Sequence, residues 1–218
     1  VRDHTGGQRM SDTKATHQLK LRKLYKKMDA TSKTRFHYSR RMKLHASLST
    51  WMIVYISLVL ILTSLLQAYG LGENIESKYV QLIQVFSSIT VLVYSLIINN
   101  NDYSSLSEKM YSCASRINQL KMKVDPHIEG GNESKYEEFR KEYQDILDLF
   151  ETASIQDFRA DYWRAMLEMP EDYTFKQPRR TWIHLKVYVV YLINFIQYPL
   201  ILLTYALVVY WLWLGFGK

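Results

Sequence analysis

The sequence predicts an all-α, helical integral membrane protein with two N-terminal spans forming a hairpin, a cytoplasmic helical hairpin and one C-terminal span. Three charge-free blocks, residues 46–72, 79–101 and 187–217, support this prediction. Each block is long enough to supply the roughly 20 helical residues that cross the hydrocarbon layer. Charge-dense segments separate the blocks, whereas a soluble protein distributes its apolar residues along one face of each element. This segregation within 218 residues indicates a membrane protein.

The chain begins with a polar region before the first apolar block. Residues 1–16 are predicted to be a flexible leader, and residues 1–9 resemble sequence placed upstream of a natural start at Met10. Residues 17–45 are predicted to form a basic cytoplasmic helix, since apolar residues recur there at steps of three and four. Eleven Lys or Arg residues and two acids lie between Met10 and His45.

The first apolar block is predicted to be a retained span, transmembrane 1, over residues 46–72. A signal peptide has a short basic start and an apolar core of roughly 7–15 residues. Here a long polar segment comes first, and the block lacks a cleavage pattern. Residues 73–78 are predicted to form an external turn, and residues 79–101 the second span. The two spans therefore form a hairpin.

Positive charge predicts the orientation of the spans, because Lys and Arg near helix ends favour the cytoplasmic side. The N-terminus and residues 102–186 are therefore placed in the cytoplasm, and the protein is predicted to be a multi-pass membrane protein. The basic residues expected to set this topology are Arg40, Arg41, Lys43, Arg179, Arg180 and Lys186.

The cytoplasmic region, residues 102–186, is predicted to contain two amphipathic helices joined by a turn. The first continues from the second span without a break, and "DPHIEGGNES" then interrupts it. The lone Cys113 excludes an internal disulfide and is expected to be a buried apolar residue. Beyond Phe150, acidic and aromatic residues form either a short helix and connector packed on the hairpin or a docking surface. The periodic residues are Leu106, Met110, Cys113, Ala114, Ile117, Leu120 and Val124, then Phe139, Tyr143, Ile146, Leu147 and Phe150.

The third block, residues 187–217, is predicted to be transmembrane 3, kinked at Pro199. Its 31 residues would form a helix of about 46 Å, longer than the roughly 30 Å hydrocarbon layer. A proline within a helix removes a backbone hydrogen bond and kinks the helix. One kinked span and a re-entrant hairpin both fit this pattern. Tyr210, Trp211 and Trp213 are aromatic residues of the kind found at the membrane–water interface.

Catalytic, cofactor-binding and metal sites are not expected. The sequence has no Gly-rich phosphate loop, HExxH, GxSxG or paired CxxC motif. Its six histidines have no ligand spacing, and each is expected to be solvated or interfacial. The basic N-terminal segment is expected to contact anionic membrane lipids, and no direct nucleic-acid partner is expected.

Uncharged polar residues form stripes along the predicted spans. Such groups cost free energy in lipid, so the stripes should face protein or water. They are expected either to form interhelical hydrogen bonds or to line a pore between assembled subunits. The candidate residues are Ser57, Ser64 and Gln67 on the first span, Gln81, Gln84, Ser88, Ser95 and Asn99 on the second, and Asn194 on the third.

Two segments resemble a known family. The helix "TRFHYSRRMKLHASLSTW" enters the first span, and "SLIINNNDYSSLSEKMYSCASRINQLKMKV" leaves the second. This arrangement resembles the SLATT effectors, two-transmembrane bacterial proteins associated with SMODS nucleotidyltransferases, SLOG domains or reverse transcriptases. The similarity covers residues 14–149, and the C-terminal apolar segment is similar to that of one subfamily. Members often have an Asn-His element before an Asp-aromatic pair; "ETASIQDF" retains only Asp157 and Phe158.

The resemblance implies an antiphage defence effector. Such a protein would form a homo-oligomer and permeabilise the inner membrane when a genomically linked sensor or a nucleotide signal triggers it, which would cause growth arrest or death. The sensor would be a nucleotidyltransferase, a SLOG protein or a reverse transcriptase. The alternative is a membrane anchor or scaffold without a pore, which recruits a cytoplasmic partner through residues 102–186.

Overall fold

The computed structural model describes residues 5–69, 77–129, 133–150, 158–171, 173 and 177–216. These residues form helices and no strand, which confirms the predicted all-α class. The helices are α1 (Thr5–Ala68), α2 (Ser77–Asn101), α3 (Tyr103–Val124), α4 (Glu133–Leu149), α5 (Arg159–Leu167), α6 (Gln177–Phe195) and α7 (Gln197–Phe216), with a 3-10 turn at Asp125–His127.

The chain divides into two compact units. We call residues 1–41 and 106–189 the helical bundle, and residues 42–105 and 190–218 the spanning unit. Two helices, those that contain α1 and α2, are long and apolar enough to cross a membrane, and the bent pair α6–α7 adds a third candidate. The membrane-protein class predicted from the three apolar blocks is confirmed.

Helix α1 is long because the sequence supplies nothing to stop it. No glycine or proline occurs between Gln8 and Tyr69, and these are the residues that most disfavour a helix interior. The helix includes residues 5–16, which the sequence assigns to a leader. The predicted external turn, residues 73–78, lies outside the described residues except for the first two residues of α2.

The core of the helical bundle joins three helices. Apolar side chains of α1 pack against the periodic faces of α3 and α4, and Cys113 is fully buried. The predicted hairpin of amphipathic helices is therefore present. Each fully buried large apolar side chain contributes about 1.5–3 kcal/mol to folding. The buried residues of this core are Leu21, Leu24, Met28, Cys113, Ile117, Leu120, Val124, Phe139 and Tyr143.

A charged cluster joins α1 to α3 beside this core. The Asp29 carboxylate accepts a hydrogen bond from Lys121 Nζ at 2.7 Å, and Lys33 Nζ lies 2.8 Å from its other oxygen. Burial by itself raises the pKa of Asp29, but the hydrogen bonds from Lys121 and Lys33 outweigh that effect and lower the pKa below 3.8. A carboxyl group with a lowered pKa stabilises the fold above its unfolded-state pKa.

We expect the stabilisation from Asp29 to be lost in acid. Wild type should melt at a higher temperature than Asp29→Asn at pH 7, and the difference should shrink as the pH falls through the lowered pKa, below 3.8. Melting temperatures of the detergent-solubilised protein at several pH values provide the measurement. Asp145→Asn, at an exposed position of α4, controls for the loss of one charge. A pH-independent difference for Asp29→Asn would contradict the account.

The junction between α2 and α3 is irregular at one residue. Asp102 lies between the two helices with a φ of 38°, within the long helical segment Lys78–His127. Aspartate tolerates this left-handed region better than most residues. Its carboxylate Oδ1 accepts a hydrogen bond from the Ser105 backbone N–H at 3.3 Å, as an N-cap residue does at the start of a helix.

The C-terminal apolar segment breaks near the predicted proline. Helices α6 and α7 meet at an angle of 45° on either side of Ile196. Pro199 lies in the first turn of α7, where it cannot donate the hydrogen bond that Phe195 would otherwise accept. The break therefore falls three residues before the proline itself. This geometry is compatible with both a kinked span and a re-entrant segment.

Candidate functional site

The spanning unit exposes large apolar side chains over much of its surface. Exposed residues of this kind cost free energy in water, and a contiguous set of them indicates a lipid or protein environment. On α2, the exposed apolar residues recur along the whole helix rather than on one narrow stripe. They are Leu82, Val85, Phe86, Ile89, Leu92, Val93, Leu96 and Ile97.

Three of the predicted polar residues meet between the first two spans. Gln84 of α2 donates from Nε2 to Gln67 Oε1 at 3.1 Å, and its distance to Ser64 Oγ is 3.4 Å. The predicted stripes of the first and second spans therefore lie side by side here. The Gln84 carboxamide links two helices that both have apolar surroundings.

The remaining polar residues of the second span behave differently. Ser88 donates to the Gln84 backbone oxygen at 2.8 Å, and Ser95 donates to that of Val91 at 2.7 Å. Such bonds within a helix satisfy a hydroxyl in an apolar environment without a second helix. Gln81 and Asn99 are exposed near the two ends of α2. On the other spans, the predicted polar residues Ser57 of α1 and Asn194 of α6 are half-buried.

The most buried polar residues of the spans are ones that the predicted stripes missed. Ser49 and Thr63 of α1 and Ser87 of α2 are almost inaccessible. On α1, the buried positions follow a spacing of three and four residues, which places them on one helical face. This spacing is present in the sequence and could have identified the buried face of α1. The residues on that face are Ser49, Met52, Ile56, Val59 and Thr63.

A second polar cluster joins α1 to α7 within the spanning unit. The Tyr198 hydroxyl lies 2.9 Å from His45 Nδ1 and 3.0 Å from Ser49 Oγ. The His45 ring stacks on Phe195, with centroids 4.2 Å apart and an angle of 6° between the planes. All three hydrogen-bonding residues are buried. The cluster holds the start of α7 against the part of α1 that enters the first span.

We expect Tyr198→Phe to weaken this connection. The variant removes the hydroxyl that contacts His45 and Ser49 but keeps the ring. Leaving buried polar groups without such a partner costs about 1–3 kcal/mol. Unfolding of the purified protein in mixed detergent micelles measures the change. Tyr210→Phe, at an exposed position of α7, is the matched control, and equal stability of the two variants would contradict the account.

The helical bundle contains a buried ion pair that the sequence did not reveal. Arg41 donates from Nη2 and Nε to Asp161 Oδ2, at 2.9 and 3.1 Å. Asp161 is fully buried, and 9% of the Arg41 side chain is exposed. Arg41 belongs to the group predicted to set topology, and here it also ties α1 to α5. Of that group, Arg40, Lys43, Arg179 and Arg180 are exposed, and Lys186 is half-buried.

The histidines require a correction. The expectation that each is solvated or interfacial is wrong for His17, His37 and His45, which are buried. His37 Nε2 lies 2.9 Å from Glu168 Oε2, so a polar partner on a distant segment allows the ring to be buried. Spacing within the sequence could not identify that partner, which is 131 residues away.

No group of histidine, cysteine and carboxylate side chains in the described part of the chain is arranged to hold a metal ion. Cys113 is fully buried in the bundle core. Burial raises the pKa of its thiol, although Arg35 and Arg116 partly oppose that effect. A protonated, inaccessible thiol is a poor nucleophile, so Cys113 has a packing role.

Comparison with known proteins adds one match. A family model described as SMODS and SLOG-associating 2TM effector domain family 5 (SLATT_5) matches residues 18–212. No curated protein and no solved structure matches the chain. The matched residues include most of the first long apolar helix, all of the second and the bent α6–α7 pair. The chain belongs to SLATT family 5, a family of membrane-associated antiphage effectors.

Proposed function

We propose that this protein is an antiphage effector that assembles into oligomers in the bacterial inner membrane and permeabilises it when triggered. The trigger comes from a partner sensor or a nucleotide signal, and the sensor is a genomically linked nucleotidyltransferase, SLOG protein or reverse transcriptase. The outcome is growth arrest or death of the infected cell. The chain acts through its membrane spans and has no enzymatic activity of its own.

The observation that carries this proposal is the polar face of α2. At 100° per residue, Gln81, Gln84, Ser88, Ser95 and Asn99 fall within about 60° of one another. This face lies among exposed apolar residues on a helix that is long enough to cross a membrane. A ring of subunits that brought such faces together would surround a polar path.

The hydrogen bonds of these residues explain how a resting form tolerates lipid. Gln84 is bonded to Gln67, while Ser88 and Ser95 are bonded to their own helix. The middle of the stripe therefore needs no water in an unassembled subunit. Assembly would exchange the Gln84–Gln67 bond for contacts with water or a neighbouring subunit, and such bonds are worth only about 0.6 kcal/mol each within membranes.

The proposed orientation places the N-terminus and the helical bundle in the cytoplasm, and α6–α7 as one kinked span. We expect Tyr69→Cys to react with a membrane-impermeant maleimide added to intact cells, and Asp145→Cys to react only after permeabilisation. Tyr69 is exposed at the end of α1, and Asp145 is exposed on α4. The buried Cys113 serves as an internal negative control. The opposite labelling pattern would invert the topology.

Membrane potential distinguishes the effector from a scaffold without a pore. Cells that express the chain with its neighbouring genes should depolarise upon phage infection, and cells that overproduce the chain alone should depolarise when its density is high. A voltage-sensitive dye reports both. A scaffold would leave the potential unchanged in each condition, and that result would refute the effector function.

A further inference from the structure

The helical bundle contains a cavity that the proposed membrane activity does not use. Its volume is about 680 Å³, within the range of roughly 300–1,000 Å³ that is typical of small-molecule sites. One face of α1 forms one wall, and the first turn of α5 with the residue before it forms the other. The lining residues are Lys27, Thr31, Thr34, Arg35, Phe158, Arg159, Tyr162 and Trp163.

Three cationic side chains border a cavity whose lining is mostly apolar. They are Lys27, Arg35 and Arg159, and the lining residues that the structure describes include no carboxylate. Within the part of the chain that the structure describes, these three residues form no ion pair; Arg35 instead lies over the Phe158 ring at 5.5 Å, and Lys27 over the Tyr143 ring at 5.6 Å. The N-terminal end of α5 adds the partial positive charge of a helix dipole. An anionic group entering the cavity would therefore meet three cations that form no ion pair with the residues the structure describes.

The same cavity presents aromatic and hydroxyl groups. Phe158, Tyr162 and Trp163 line one wall, and Thr31 and Thr34 lie on the other. Aromatic side chains stack on planar bases, and this contact tolerates any base because each has a π-face. Arginine adds to such stacking and also binds phosphate through paired N–H groups. The lining thus combines the groups that recognise a planar ring with those that recognise phosphate.

We propose that this cavity binds a small phosphorylated ligand that carries an aromatic base, that is, a nucleotide. Lys27, Arg35 and Arg159 hold the phosphate, and Tyr162 and Trp163 contact the base. A phospholipid headgroup has the phosphate but lacks the base, so it would use only half of the site. Nucleotide binding to the cavity does not depend on the proposed effector function. The interpretation of that nucleotide as the trigger does rest on it.

The test uses the full-length protein in a neutral detergent. Titration calorimetry measures the binding of the four ribonucleoside monophosphates and the cyclic dinucleotides of adenine and guanine. Ribose 5-phosphate, inorganic phosphate and micelles containing phosphatidylglycerol supply the phosphate without a base. We expect at least one nucleotide to bind with a Kd below about 1 mM, and every probe that lacks a base to bind about tenfold more weakly.

Matched variants locate the site. Lys27→Ala with Arg159→Ala removes two exposed cations from the cavity, whereas Arg22→Ala with Lys23→Ala removes two exposed cations from elsewhere on α1. Losing a charge-assisted hydrogen bond weakens binding by roughly tenfold, so the first pair should lose affinity while the second keeps it. Nucleotide quenching of tryptophan fluorescence should also fall in Trp163→Phe.

Three results would overturn the proposal: no nucleotide binds below about 1 mM, the probes without a base bind as well, or both double variants lose affinity equally. These outcomes are independent of membrane activity. A protein that binds nucleotide through the cavity but never depolarises cells would refute the effector function and leave the binding site standing.

Discussion

Replacing Asp161 with alanine is expected to destabilise the protein by about 3–5 kcal/mol, because it removes a buried carboxylate that binds the largely buried guanidinium of Arg41. Arg41 places two N–H groups on one oxygen of Asp161, and the carboxylate is fully buried. Taking a charge out of water is costly, and the opposite charge offsets that cost only while both partners are present. Denaturant unfolding in detergent micelles measures the loss.

Two controls separate this effect from the removal of any ion pair. Glu137→Ala removes one partner of the Glu137–Arg140 pair, in which both side chains are more than half exposed, and should cost less than about 1 kcal/mol. Combining Asp161→Leu with Arg41→Met should restore most of the stability, since apolar side chains often replace a buried pair without loss. A double variant as unstable as Asp161→Ala would contradict the explanation that the loss comes from breaking the buried ion pair.

Substituting leucine for both Gln84 and Ser88 is expected to abolish membrane permeabilisation while the protein still inserts. The substitutions remove the polar groups from the middle of the α2 stripe, including the amide that bonds to Gln67. Leucine favours insertion into the bilayer, and an apolar constriction closes a water-filled path by dewetting. Dye leakage from cells that contain equal amounts of membrane-inserted protein measures the effect.

The control for this variant changes the neighbouring apolar face. Val85→Leu with Ile89→Leu alters two exposed side chains of α2 and should retain full leakage. If cells that contain the Gln84→Leu and Ser88→Leu variant leak as much dye as cells with wild type, the polar stripe of α2 does not line the water-filled path. If the control pair loses leakage to the same extent, the effect comes from helix packing rather than polarity, and this also contradicts the lining assignment.

Much of the fold could be predicted because its determinants are local. Length and the absence of charge identify the spans, and apolar spacing identifies the faces of α3 and α4. Cys113, Ile117 and Leu120 were predicted on one face and lie in the bundle core. The kink also followed from a single proline, although the break lies at Ile196 because a proline disrupts the helix on its N-terminal side.

The polar contacts could not be predicted, since they join residues far apart in the chain. Arg41 and Asp161 are 120 residues apart, and His45 and Tyr198 are 153 residues apart. The faces of the spans posed a different difficulty. In lipid, apolar residues occupy both the inner and outer faces, so hydrophobicity does not show which one packs inward. Residue type selected Ser57 and Ser64, whereas the structure buries Ser49 and Thr63.

The cavity between α1 and α5 illustrates the same point. Its cations and aromatic residues come from two segments separated by more than 120 residues. In the sequence, Phe158 belongs to the Asp-aromatic pair, and the region after Phe150 is predicted to be either a packed helix with a connector or a docking surface. Only the folded bundle brings Phe158 to Arg35, with the guanidinium 5.5 Å from the ring centroid. The proposed nucleotide site would give that region a specific chemical role.

The central claim is that the spans of this protein themselves form a water-filled path. Single-channel recording of the purified protein in planar bilayers tests it most directly, at protein densities that depolarise cells. We predict discrete conductance steps for wild type and none for the variant in which leucine replaces Gln84 and Ser88, the residues at the middle of the α2 stripe. Wild-type protein that depolarises cells but conducts no current in bilayers, or equal conductance in the variant, would contradict the claim.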